Sequence, residues 1–531
     1  MSSISAKYKW FSVGDFSAVA TLVFDILTTM SVIAILLTTV FGMPSSIVFK
    51  HIIPGLSVGV VVGNVACIYF AFKLAKRTGK SDITAIPYGL DAPSCIGLTL
   101  SVVGPTFLLF KAQGMNITDA ATYSWYVSCA CTLFIGVVKV FFSFFALKIK
   151  NWLPTVALLG GLAGVAIGLI AFFPLISMLQ LPLISFFVFA IIIMVYFAGY
   201  KMPANLPAIM VSVLLGVIVY YIFQIFLTGH TNAPKLSSIE VALPSVSFGL
   251  FTVIPQASKY FSIAFPFAML VIFGTISAVE SATVSGEAYN VKEVLFWDGI
   301  ATIAMAICGG TAQTTPYAGF PAYKKMEARA SFLMMNIVII GIGAWFGYVN
   351  YIITLIPAEI LAPVLLFVGI EIGMQVFLVT EKKYYPAAIL GLFPSIAHML
   401  QIELTSKPDL VSADKLTGSL YTVNHGMLTD ITSIITLGNG FIVTGVLWAA
   451  MVYYLIDHKI IPAVVTCILL AGLSLFGIIH SINLDGSMYW FFDLAPAKQI
   501  IPLEISGGYI LFAIVAIILH MLNKGKYIES H

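Results

Sequence analysis

The chain has 531 residues, of which only 26 are basic and 23 acidic, so 9% are charged where soluble domains carry about 25%. With 60% hydrophobic and 13% aromatic residues, too little polar surface remains to cover a water-soluble protein of this size. A soluble enzyme, a nucleic-acid binder and a disordered scaffold are thereby excluded. The net charge of +3 is too small to attract a polyanion, and the basic residues are scattered among loops. Six cysteines, at positions 67, 95, 129, 131, 308 and 467, sit in apolar stretches without metal-ligand spacing and read as small buried hydrophobes.

In chain order, residues 1–16 lack the charged, apolar and small-residue succession of a cleavable leader. The apolar run that follows continues to Phe41, so it reads as a retained transmembrane helix. Runs of about 20 apolar residues predict spans at 16–42, 52–75, 84–110, 121–148, 153–178, 181–200 and 203–228. A polar loop at 229–261 precedes a second group at 262–287, 294–312, 313–325, 330–350, 357–379, 384–401 and 431–457. Two further spans follow, 461–482 and 506–523. Placing the N-terminus in the cytoplasm puts 18 Lys and Arg residues inside and 7 outside, so both termini are expected to be cytoplasmic in a plasma or inner membrane.

The third and tenth spans break the pattern. One opens Thr84-Ala85-Ile86-Pro87-Tyr88-Gly89-Leu90-Asp91-Ala92-Pro93 and the other Thr314-Thr315-Pro316-Tyr317-Ala318-Gly319-Phe320-Pro321. Proline disfavours the helical region for its predecessor, so each segment is predicted to be extended first and helical only after its second proline. Seven is odd, so the second set of seven enters the membrane from the opposite side, giving inverted repeats. Unwound backbone at membrane depth is tolerated only where protein or a water-filled cavity satisfies it, and it therefore marks a binding site. Gly55, Gly59 and Gly63, and again Gly160, Gly164 and Gly168, recur every four residues and predict close helix packing.

Ionisable residues inside spans are costly and need a reason. Glu280 in Ser277-Ala278-Val279-Glu280-Ser281-Ala282-Thr283 is the main candidate, as a substrate-binding carboxylate and proton carrier; the competing reading is a carboxyl satisfied by Ser277, Ser281 or Thr283. Asp25, Glu371 and Gln375 are secondary candidates. Lys139 is expected to snorkel toward the cytoplasmic end, and Glu287 to be interfacial. Asp91 either lines the site or caps the half-helix that follows it. Half-helix N-termini at Tyr88, Gly89 and Asp91, and at Tyr317, Ala318, Gly319 and Phe320, would offer N–H groups to an acceptor-rich or negatively charged ligand. Tyr88, Tyr317 and Phe320 would add aromatic faces.

The Glu280 segment is similar to the eighth-helix motif of the nucleobase-ascorbate transporters, the xanthine/uracil permeases. Gly309-Gly310-Thr311-Ala312-Gln313-Thr314-Thr315-Pro316-Tyr317 resembles that family's approach to its tenth helix, and Thr84 to Pro93 its broken third helix in the purine-permease branch. The resemblance implies an all-α polytopic membrane protein with core and gate domains. It assigns 1–150 and 262–350 to the core, 151–228 and 351–457 to the gate, 229–261 to an extracytoplasmic loop, and 458–531 to two added spans and a cytoplasmic tail. It also implies proton-coupled symport of a nucleobase such as a purine, xanthine or uracil, with Na+ as the other coupling ion and no cofactor, often in a homodimer. Ala318-Gly319-Phe320 departs from the family, because the second polar clamp on the base is missing. The alternative is an anion exchanger or channel of the same fold, for sulfate, bicarbonate or an organic anion. No nucleic-acid partner is expected, and no nucleophile or zinc signature suggests an enzyme.

Overall fold

The computed structural model describes residues 8–145, 154–202, 208–228, 240–317, 319–406, 430–483, 486 and 488–523. In chain order the principal helices are α1 (Gly14–Ile35), α2 (Ile53–Thr78), α3 (Ala92–Leu98), α4 (Ile117–Ser143), α5 (Thr155–Val165), α6 (Pro182–Tyr196), α7 (Ala208–Thr228) and α8 (Phe261–Val284). They continue with α9 (Val291–Ile307), α10 (Phe320–Lys325), α11 (Ser331–Asn336), α12 (Ala358–Val379) and α13 (Tyr385–Ser406). The last are α14, broken into Asp430–Gly438 and Phe441–Ile456, α15 (Ile460–Leu475) and α16 (Pro496–Asn523). Strand β1 (Tyr88–Leu90) precedes α3, and β2 (Thr314–Pro316) precedes α10.

Among the described residues nine helices are long and apolar enough to cross a membrane, ten with the bent α14 counted once, and four more apolar helices are shorter. The chain is thus a mostly helical polytopic membrane protein built on inverted repeats, with short strands in its broken third and tenth helices. Beyond those four shorter helices, two of the sixteen predicted spans, 294–312 and 313–325, correspond to no apolar helix of either kind, for physical reasons. Helix α9 carries Lys292, Glu293 and Asp298, and the tenth span contracts to a strand and the six-residue α10.

Contacts divide the chain into two compact units, residues 1–150 with 174–367 and residues 151–173 with 368–531. In the first, the Gly55, Gly59 and Gly63 stripe of α2 seats the broken segments. A Cβ on Gly55 would lie 2.3 Å from Gly310 N, one on Gly59 3.1 Å from Thr314 Cγ2, and one on Gly63 1.8 Å from the Tyr88 ring. Helix starts are capped by side chains: Asn116 accepts from Asp119 N–H at 2.9 Å for α4, and Asn290 from Lys292 N–H at 3.0 Å for α9.

In the second unit, the Gly160, Gly164 and Gly168 stripe packs on α13 against Ala388, Leu392 and Ser395. The two halves of α14 meet at 81°. Asn439 at that break is fully bonded: its amide donates to Ser481 O at 2.8 Å and Asn483 O at 2.7 Å, and its oxygen accepts from Gln401 Nε2 at 2.8 Å. Buried Leu447, Met451, Cys467, Leu470, Ile479 and Ala513 join α14 to the two added spans, α15 and α16.

Candidate functional site

Strands β1 and β2 pair antiparallel, Tyr88 opposite Pro316, Gly89 opposite Thr315 and Leu90 opposite Thr314. The ladder extends at both ends, with Tyr317 N–H donating to Pro87 O at 2.8 Å and Asp91 N–H to Gln313 O at 3.1 Å. Each repeat therefore satisfies the unwound backbone of the other, which is what allows extended chain among membrane helices. After β1 the Asp91 side chain accepts from Ser94 N–H at 3.0 Å and starts α3, with Pro93 in its first turn. This helical run continues to Ala112. After β2, α10 starts without a side-chain cap and with Pro321 in its first turn.

Behind the ladder lies a buried polar network. Lys139 of α4 is fully enclosed and does not snorkel, because partners for all three of its N–H groups surround it. Its Nζ donates to Thr314 O at 2.6 Å and to Thr302 Oγ1 at 3.1 Å, and it pairs with Asp298 Oδ2 at 3.1 Å, both side chains being 0% exposed. Asp298 of α9 also accepts from the Tyr88 hydroxyl at 2.8 Å and from Thr275 Oγ1 at 3.1 Å. The Tyr88 hydroxyl and Thr314 Oγ1 are 2.6 Å apart. Three helices thus meet the two strands through the network around one ion pair, α4, α8 and α9, while α2 meets them by glycine contact. Sequence reading missed Asp298, Thr302 and Thr275. The available signal was that Lys139 and Asp298 are intramembrane charges of opposite sign on different spans.

On the other face, the Tyr317 hydroxyl crosses Gly89 to donate to Leu90 O at 3.0 Å, and a Cβ on Gly89 would lie 2.3 Å from that hydroxyl. Asp25 of α1 interacts with Tyr317 and, through space, with Asp91. Asp25, Asp91 and Tyr317 are half-buried and Gly319 is exposed, so this face is the accessible one.

The remaining predicted residues distribute as follows. Tyr88 and Phe320 are 1% and 0% exposed, so neither presents an open aromatic face. Gly319 has open space where a Cβ would stand, and Ala318 lies outside the described residues. Glu280 is half-buried on α8, whereas Thr283 is exposed and its hydroxyl donates to Val279 O at 2.9 Å. Glu371 is half-buried and belongs to the second unit, and the Gln375 side chain lies outside the described residues. Glu287 is not interfacial but buried. Among the described residues no three His, Cys, Asp or Glu side chains gather to hold a metal ion.

The antiparallel strand pair thus joins one broken segment from each inverted repeat within the first unit. Among solved structures, the chain is similar to the transmembrane domain of a cyanobacterium bicarbonate transporter, BicA, with a TM-score of 0.51 and 16% identity over 75% of this chain and 97% of that one. Weaker likenesses are to SLC26A9, with a TM-score of 0.48 and 10% identity over 82% of this chain and 65% of that one. Another is to the murine anion transporter Slc26a9 in its inward-facing state, with a TM-score of 0.49 and 12% identity over 85% of this chain and 69% of that one. No protein-family model and no curated protein matches the sequence.

These findings correct the family expectation. The similar structure with a TM-score above 0.5 is that of a bicarbonate transporter, and no protein-family model matches, that of the nucleobase-ascorbate transporters included. The nucleobase is withdrawn with it. Physically, the short Glu280 motif is a pattern of small and polar residues on one helix. Two of the three aromatic faces expected to hold a planar base, the Tyr88 and Phe320 rings, are buried, and Gly319 has no side chain to clamp one.

Proposed function

We propose that the chain is a secondary transporter of a small anion of the bicarbonate or sulfate class, coupled to H+ or Na+. The observation that carries this reading is the β1–β2 pair. It sets the start of the 92–112 helical run beside a half-open face, and helix N-termini favour anions. The likeness to a bicarbonate transporter supports the same ligand class. Asp25 and Asp91 border that face, and an anion approaching two carboxylates is repelled unless a proton or a metal cation neutralises them. Cation coupling follows from that repulsion, with Asp25 and Asp91 as the coupling groups and Glu280 as a further candidate. Both termini face the cytoplasm in this reading, following the Lys and Arg bias.

Thermal unfolding of the purified protein tests ligand class directly. In Na+ or at lower pH, bicarbonate or sulfate at 100 times its Kd is expected to add about 2.7 kcal/mol of apparent stability, and the same anion concentration is expected to add less in a bulky organic cation at pH 8. Xanthine and uracil are expected to leave the midpoint unchanged. Equal midpoints with every anion under every cation would contradict the proposal.

A further inference from the structure

At the end of the first unit that carries the N-terminal segment, one buried carboxylate joins the two repeats. Glu287 lies in the turn between α8 and α9 and is 1% exposed. Its oxygens accept from Thr84 N–H at 3.2 and 3.0 Å, and Oε1 pairs with Lys324 Nζ. Thr84 opens the extended lead into β1, and Lys324 lies in α10, directly after β2. Each neighbour is itself fixed. The Tyr289 hydroxyl donates to Thr84 O at 2.5 Å, Tyr8 Oη to Ile83 O at 2.9 Å, and Ala85 N–H to Arg329 O at 2.7 Å. Arg77 and Lys80 hold the turn that carries Glu287, donating to Ala288 O at 2.7 Å and Gly286 O at 3.0 Å.

We propose that Glu287 is a positioning residue that ties the lead into β1 to α10, fixing the spacing of the two broken segments and with it the affinity of the site between them. The proposal rests on the reading of the strand pair as the anion's site. The carboxylate reaches both repeats at once, so its loss frees β1 and β2 to shift relative to each other. A misplacement of about 1 Å is enough to cost a site one to two orders of magnitude. The titratable groups facing Glu287 are Lys324 from α10, Asp82 from the loop after α2, Tyr8 from the N-terminal segment and Tyr289 from its own turn. Burial raises its carboxyl above the usual range, while Lys324 and the Thr84 N–H oppose the rise. Protonation cancels the attraction to Lys324, so affinity should fall as pH drops on that side of the membrane.

The test is Glu287→Gln in proteoliposomes, since glutamine keeps an acceptor for Thr84 N–H and loses only the charge. The expected result is a KM for bicarbonate or sulfate raised about ten-fold, with a near wild-type thermal midpoint and no remaining pH dependence of KM on the N-terminal side. Lys324→Gln should give the same KM, and the double variant should be no worse, because the two act through one contact. Unchanged KM in both single variants, or effects that multiply in the double, would overturn the proposal. If the wild type moves no anion, the transport reading fails by itself, and amide hydrogen exchange decides this one. Exchange over 84–91 and 313–325 should be about ten-fold faster in Glu287→Gln, but not in Glu293→Gln, whose side chain pairs with Lys73 at the surface. Equal exchange in wild type and Glu287→Gln would overturn it.

Discussion

Lys139→Met should unfold or inactivate the protein, and adding Asp298→Asn should restore much of what is lost. Lys139 and Asp298 are both 0% exposed and 3.1 Å apart. Taking both charges out of water largely offsets their attraction, so the pair is no large source of net stability. Removing one partner alone is different, because it strands a buried charge at a cost of about 3–5 kcal/mol. Against a typical total stability of about 5–15 kcal/mol, that loss is severe. In Lys139→Met the Asp298 carboxylate keeps the hydroxyls of Tyr88, Thr275 and, at 3.4 Å, Thr314 as donors but no cation, and Thr314 O and Thr302 Oγ1 lose the Lys139 ammonium. In the double variant no charge is stranded, and the new amide oxygen still accepts from Tyr88. Thermal unfolding of both single variants and the double measures the coupling. If the double loses the sum of the single losses, the pair does not act as a unit.

Gly55→Ala should be nearly as damaging, although it adds one methyl group. The new Cβ would stand 2.3 Å from Gly310 N, 2.5 Å from Gly309 C and 2.7 Å from Cys308 O. These are backbone atoms on the approach to β2, and no side-chain rotation relieves them. Overpacking of this kind costs about 1–3 kcal/mol or more, and the relief available is to push β2 away from α2. Gly63→Ala meets the Tyr88 ring instead, which can move only by giving up its hydrogen bond to Asp298. Gly507→Ala and Gly508→Ala in α16 are the controls, since nothing lies within 4 Å of either added methyl. They should be neutral or gain up to about 1 kcal/mol from helix propensity. The thermal midpoints should fall in Gly55→Ala and Gly63→Ala and hold in the two controls; a neutral Gly55→Ala would show that the seat on α2 is soft.

Much of the fold was legible because it is written in local chemistry. Pro87 with Pro93 and Pro316 with Pro321 foretell strand-then-helix segments, and the odd repeat length foretells their inversion. The four-residue glycine periodicity announced close approach, but not that the partner of α2 is unwound backbone rather than a helix. The Asp91 cap was legible for the same reason, since an N-cap acts within three residues. What could not be read is long-range: Lys139 and Asp298 are 159 positions apart in sequence, and Glu287 reaches Thr84 across 203. Snorkelling was the natural reading of a lone lysine whose counter-ion lies on another span. Ligand class was misread because a short motif on α8 outweighed the missing clamp at Ala318-Gly319-Phe320.

Cation-coupled anion transport is tested most directly by uptake of labelled bicarbonate, and separately of labelled sulfate, into proteoliposomes holding the wild-type protein under an imposed inward H+ or Na+ gradient. At least one of these anions is expected to accumulate above empty liposomes, dependent on the cation gradient, competed by the unlabelled anion and untouched by xanthine or uracil. Uptake no faster than in empty liposomes under every gradient would contradict it.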